Sequence, residues 1–128
     1  MENKRIFIDS NIFVAFYLEE DALHEKAIFL LEELKEREII IPYCVIQEVS
    51  SILCYRAGKK TADVFLKDID LSSYCRVIDS IVDEEILFFQ GISQKISFTD
   101  ASLLFLSKKY NAELFTFDKQ LLNISRNF

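Results

Sequence analysis

Four carboxylates, Asp9, Glu48, Asp100 and Asp118, stand where acids are normally excluded: at the ends of apolar runs, or on the apolar side of a helical stretch. An ionised side chain in apolar surroundings is costly unless a positive charge neutralises it. Four such groups spread over the whole chain therefore imply one shared counter-charge, and all-oxygen donors suit Mg²⁺ or Mn²⁺. One such ion, or a pair about 3.5–4 Å apart, would activate water for attack on a phosphodiester and stabilise the leaving oxygen. Asp9, Asp100 and Asp118 are the expected direct ligands. Three roles are open for Glu48: direct ligation, ligation through water, or deprotonation of the nucleophile.

Three of these acids also have an ordinary structural explanation. Asp9 would cap a first helix, Asp118 a last one, and Asp100 in a first helical turn would compensate the helix dipole. Glu48 has no such explanation. Its helical neighbours Cys44, Val45, Ser51 and Ile52 form an inward-looking, mostly apolar face. Ser10, Asn11, Thr99 and Thr116 could orient carboxylates or waters, with Asn11 and Thr116 the leading candidates. Lys95, Lys119 and Arg126 are candidate phosphate contacts, although charges at such positions are usually just solvated. His24 falls among polar residues and has no serine or cysteine nucleophile to serve, so it is expected at the surface.

The elements that must position the acids are short and closely spaced. Arg5 to Ile8 reads as a buried strand, followed by a helix from Asn11 to Leu18. From Ala22 to Arg37, Leu23, Ala27, Leu30, Leu31 and Leu34 recur at three- and four-residue intervals, giving an amphipathic helix. Ile39 to Ile41 is a second strand stopped by Pro42, and a helix from Val45 to Ala57 ends at Gly58. A further short helix runs through Leu66. Tyr74 to Ile78 is a third strand, Glu84 to Ile92 and Asp100 to Tyr110 are helices with Ser97 or Thr99 as a cap, and Glu113 to Phe117 is a last strand. Such alternation predicts an α/β fold: a three-layer α/β/α sandwich around a mainly parallel sheet of four or five strands. Asp9 and Asp118 then lie at carboxyl ends of strands, the edge where open sheets bind ligands.

Composition bounds the reading. With 128 residues, 51% of them hydrophobic, the chain suits one domain over residues 1–128 with a core that needs no disulfides. Three cysteines, Cys44, Cys54 and Cys75, show no zinc spacing and are expected as reduced thiols, with a cytoplasmic location. No apolar stretch reaches membrane-spanning length, so no membrane association is expected. A net charge of −6 disfavours a protein that grips nucleic acid through a broad basic surface. It leaves room for metal-mediated phosphate binding.

The ordered pattern Phe7-Ile8-Asp9-Ser10-Asn11, Glu48, Phe98-Thr99-Asp100-Ala101 and Leu114-Phe115-Thr116-Phe117-Asp118 resembles the PIN domain family over nearly the whole chain. It looks most like the small VapC-type toxin ribonucleases of toxin–antitoxin pairs. The resemblance implies adjacent first and fourth strands that bring Asp9 and Asp118 together, with Glu48 and Asp100 approaching from helices. It further implies Mg²⁺ or Mn²⁺ as cofactor, RNA as substrate with cleavage leaving a 5′-phosphate, an antitoxin partner, and Asn11 and Thr116 as supports of the acids. A homodimer is expected too, and the apolar residues Phe13, Phe16 and Tyr17 with the Leu30 to Leu34 stripe are the expected dimer or antitoxin surface.

The family often has a fifth strand after the last acid, for which only Lys119 to Phe128 remain. Alternatives are a receiver-like Mg²⁺-binding regulatory domain with Asp79 as phosphoacceptor, an RNA-processing nuclease that is not a toxin, and a PIN-like scaffold that only binds. A haloacid-dehalogenase-like phosphatase would need an aspartate where Asn11 stands.

Overall fold

The computed structural model describes residues 4–128. Its strands are β1 (Ile6–Ile8), β2 (Ile39–Pro42), β3 (Cys75–Ile78) and β4 (Glu113–Phe115). All three pairings are parallel, and the order across the sheet is β3-β2-β1-β4. Every residue of β1 and β2 is buried. Because successive strand side chains point to opposite faces, burial throughout means that both faces are covered, as the three-layer α/β arrangement requires.

Among the described residues seven helices supply that cover: α1 (Ser10–Tyr17), α2 (His24–Leu34), α3 (Tyr43–Ala57), α4 (Lys59–Leu71), α5 (Val82–Gly91), α6 (Phe98–Lys109) and α7 (Lys119–Arg126). Pro42 closes β2 and sits at the start of α3, where a missing backbone N–H costs nothing. Gly58 joins α3 to α4 at φ +99°, a left-handed backbone that a side chain would strain. Its N–H caps α3 on the Cys54 carbonyl and its carbonyl receives the Thr61 N–H.

The chain steps outward from β1 to β2 to β3 and then crosses to the other side of β1 for β4. Strand order therefore reverses between β1 and β4, which opens a crevice at their carboxyl ends. The ladder continues past β1 through the Asp9 N–H on the Phe115 carbonyl, 2.9 Å.

Several expectations from the sequence change. The sheet has four strands among the described residues, because the segment after Asp118 forms α7 instead of a fifth strand. β4 ends at Phe115, two residues early, and α2 starts at His24 because Asp21 and His24 spend their N–H groups on turns to Leu18 and Asp21. His24 is half-buried, and its Nδ1–H donates to the Ala15 carbonyl at 2.8 Å, tying α2 to α1.

The apolar surface expected for a partner is only partly exposed. Phe13 is buried against Phe65 of α4, while Phe16 and Tyr17 pack on the core and the Tyr17 hydroxyl donates to Asp68. Leu30 and Leu31 pack inward as well. Exposed apolar residues lie elsewhere and on several elements, among them Ile28 and Phe29 on α2, Leu71 at the end of α4, and Val82 and Leu87 on α5. No helix among the described residues is long and apolar enough to cross a membrane.

Candidate active site

All four acids line one cleft of about 350 Å³ at the β1/β4 switch point. Asp9 reaches it from the end of β1, Glu48 from the second turn of α3, Asp100 from the first turn of α6, and Asp118 from the start of α7. The structural and the chemical explanations of the aspartates hold together. Asp9 caps α1 by accepting the Ser10 N–H at 2.6 Å, and Asp118 Oδ1 caps α7 by accepting from the N–H groups of Gln120 and Leu121. A carboxylate has about four lone-pair sites, so each cap leaves acceptor capacity toward the cleft. The α6 cap is Ser97, whose hydroxyl accepts the Asp100 N–H; Thr99 does not serve.

Thr116 is the hub that joins the two strand ends. Its hydroxyl donates to Asp9 Oδ2 at 2.7 Å and accepts from Asn11 Nδ2 at 3.3 Å and from the Asp118 N–H at 3.0 Å. One donor and two acceptor sites are all a hydroxyl has, and all three are used. Asn11 completes the link with Oδ1, which accepts the Phe117 N–H. Removing the hydroxyl with Thr116→Val should therefore lower the unfolding free energy in urea by about 1–2 kcal/mol, since it strands several partly buried partners. A change below about 0.5 kcal/mol would mean that this network holds nothing in place.

The cleft is electrostatically strained. Asp9 is buried, and its carboxyl is pushed up to about 6, chiefly by burial and further by Asp100 and Glu48, against the lowering effect of the bonds from Thr116 and Ser10. Asp100, half-buried, is also held above the usual carboxylate range, by burial first and then by Asp118 and Glu48. Among the described residues none of the four acids belongs to an ion pair. Two of the pairs that do form, Arg37 with Glu113 and Arg76 with Glu38, lie toward the opposite, amino-terminal edge of the sheet.

A divalent cation fits this donor set in chemistry: among the described residues, the four oxygen-bearing acids have no Lys or Arg ion-pair partner, and the buried Ser10 hydroxyl beside them has no hydrogen-bond partner. No three of the acids are drawn tightly enough together among the described residues to enclose an ion by themselves. Mg²⁺, which usually keeps several waters and takes one or two carboxylates, does not need such a cage.

Two further residues that the sequence reading passed over line the same cleft, Asp21 and Arg56. Asp21 was concealed in an acidic run that reads as a solvated turn, and its Oδ1 indeed accepts the Leu23 N–H. Arg56 follows Glu48 at twice the four-residue helical interval, a signal present in the sequence. Lys95, Lys119 and Arg126 are exposed and do not line the cleft. Asp79 is exposed at the end of the edge strand β3, outside the cleft, which removes the receiver-like arrangement.

Residues 6–127 match the model of the PIN domain. The chain belongs to the PIN domain family. Among solved structures, this PIN domain is similar to Mycobacterium tuberculosis VapC20, described as a Sarcin-Ricin loop cleaving toxin, at 25% identity and a TM-score of 0.79, covering 93% of this chain and 94% of that one. VapBC2 from Rickettsia felis, bound to a DNA fragment from their promoter, matches at 21% identity and a TM-score of 0.70, covering 94% and 92%. FitAcB from Neisseria gonorrhoeae matches at 13% identity and a TM-score of 0.65, covering 94% and 93%. No curated protein sequence matches the chain. The PIN assignment and the likeness to VapC structures agree with the resemblance carried by the four acids, and the parallel sheet agrees with the expected fold.

Proposed function

We propose that the protein is a divalent-metal-dependent endoribonuclease and the toxin of a toxin–antitoxin pair. The observation that carries this reading is the convergence of four carboxylates on one cleft with no ion-pair partner among the described residues. A bound cation relieves the mutual repulsion of such a cluster at neutral pH. Membership of the PIN family and the likeness to a VapC toxin support RNA as the substrate.

Asp9, Asp100 and Asp118 hold the ion, Mg²⁺ or Mn²⁺, and Glu48 completes the acidic wall. The bound ion supplies charge stabilisation at the scissile phosphate and activation of the attacking water. The protein's own part is positioning. Thr116 fixes Asp9 and the Asp118 backbone relative to each other, and Asn11 fixes Thr116. Rigid carboxylates of this kind lower the reorganisation needed when charge develops on the phosphate. The exposed apolar residues on α2 and α5 support a protein partner, an antitoxin or a second copy of the chain.

The test is cleavage of labelled single-stranded RNA, tRNA and single-stranded DNA by the purified protein in Mg²⁺ or Mn²⁺. RNA cut internally, with 5′-phosphate ends and DNA left intact, is the expected result. No cleavage of any RNA, or equal cleavage of DNA, would overturn the reading.

A further inference from the structure

We propose that Arg56 holds the RNA strand by a phosphate outside the linkage that is cut. Among the residues lining the acid cleft it is the one lysine or arginine. It is exposed, and it belongs to none of the ion pairs among the described residues, so its guanidinium is not committed to neutralising the acids. A planar fork of N–H donors is suited to a phosphate oxygen pair.

Its place on the fold sets the distance. Glu48, half-buried Ile52 and Arg56 follow one another at four-residue intervals along the cleft side of α3. Eight residues of helix rise about 12 Å, which sets the Arg56 backbone more than one phosphate's width along α3 from that of Glu48. A polyanion approaching a wall of carboxylates is repelled, and a metal ion offsets this only at the acids themselves. An arginine further along the same wall supplies attraction where the strand leaves the metal site.

Arg56 also sits in the last turn of α3, where a cation favours the helix dipole. That structural role alone would change melting temperature and leave RNA binding untouched.

The inference rests on the nuclease reading above, and its test separates the two. Single-turnover cleavage of one labelled single-stranded RNA in Mg²⁺, titrated with wild type, Arg56→Ala and Arg56→Lys at several KCl concentrations, gives half-saturation and maximal rate separately. For Arg56→Ala, half-saturation should rise about 3–10-fold, and its log–log salt slope should fall by about 0.7. The maximal rate should stay within about twofold, since the contact is made equally in ground and transition states. Arg56→Lys should recover part of the binding. An unchanged half-saturation and salt slope in Arg56→Ala, or a fall confined to the maximal rate, overturns the inference alone. A wild type that cuts no RNA overturns the nuclease reading and this inference with it.

Discussion

Asp100→Asn should lose on the order of 10²–10³-fold in RNA cleavage and yet melt about 2 °C higher than the wild type in EDTA. The two effects have one cause. Without a cation, the Asp100 carboxylate is half-buried beside Asp118 and Glu48, and both neighbours disfavour its charge. The amide keeps the shape and the backbone bond from the Asp100 N–H to Ser97, which does not involve the substituted group. It deletes one repelling charge, so the empty site relaxes. The same deletion removes a negative ligand from the metal site and so weakens the hold on the ion that would stabilise charge in the reaction. Cleavage assays and thermal melts on the same preparation check both halves. A variant that loses activity but also melts well below the wild type in EDTA would show Asp100 as a structural residue.

The second large effect is a pH dependence. In the folded protein the Asp9 carboxyl is raised to about 6 from an ordinary 3.8, mainly by burial. Between these values the folded state holds the proton more tightly than the unfolded state, so Asp9's contribution to stability falls as pH rises. Below about pH 4 both states are protonated and Asp9 costs nothing; above about pH 6 to 7 both are ionised and the cost is full, about 3 kcal/mol. The clean measurement is the difference in unfolding free energy between wild type and Asp9→Asn, each in EDTA, because the acids that do not interact with Asp9 cancel. Asparagine breaks the bond from Thr116 at every pH, so the informative quantity is the slope. The wild type should lose about 3 kcal/mol relative to the variant between pH 4 and pH 7. Saturating Mn²⁺ should restore the wild type at pH 7 and leave the variant nearly unmoved. A flat difference across this range would mean that Asp9 carries no desolvation cost.

Much of the architecture was legible because it rests on short, strong signals. Ile6 to Ile8 and Ile39 to Ile41 are apolar runs that only strands covered on both faces tolerate, and the Asp9 position follows from the strand that ends before it. Glu48 was legible from its helical neighbours. Boundaries were less so. Thr116 and Phe117 have strand-forming side chains, but the Thr116 hydroxyl turns to Asp9 and the Asp118 N–H, so the ladder stops at Phe115. Helical periodicity placed Leu23 on α2, whereas the turn bonds around Asp21 won locally.

Of the expected partner surface, Phe13 and Leu34 are buried, whereas Phe16, Tyr17, Leu30 and Leu31 stay partly exposed. Periodicity tells which residues share a face and not which face another element covers; α4 brings Phe65 onto Phe13 and Tyr17. Glu85 shows the same limit. Within Asp83-Glu84-Glu85 it reads as a solvated acid, yet it is buried and accepts the Ile81 N–H at 2.6 Å.

The central claim is that the four acids act by holding a divalent ion for RNA cleavage. Its most direct measurement is the RNA cleavage rate of the wild type in EDTA, followed by add-back of Mg²⁺ or Mn²⁺ past the chelator. Activity should vanish in EDTA and return with either ion, while Asp100→Asn stays on the order of 10²–10³-fold below the wild type in either ion. RNA cleavage that persists undiminished in EDTA, or that is undiminished in Asp100→Asn, would contradict it.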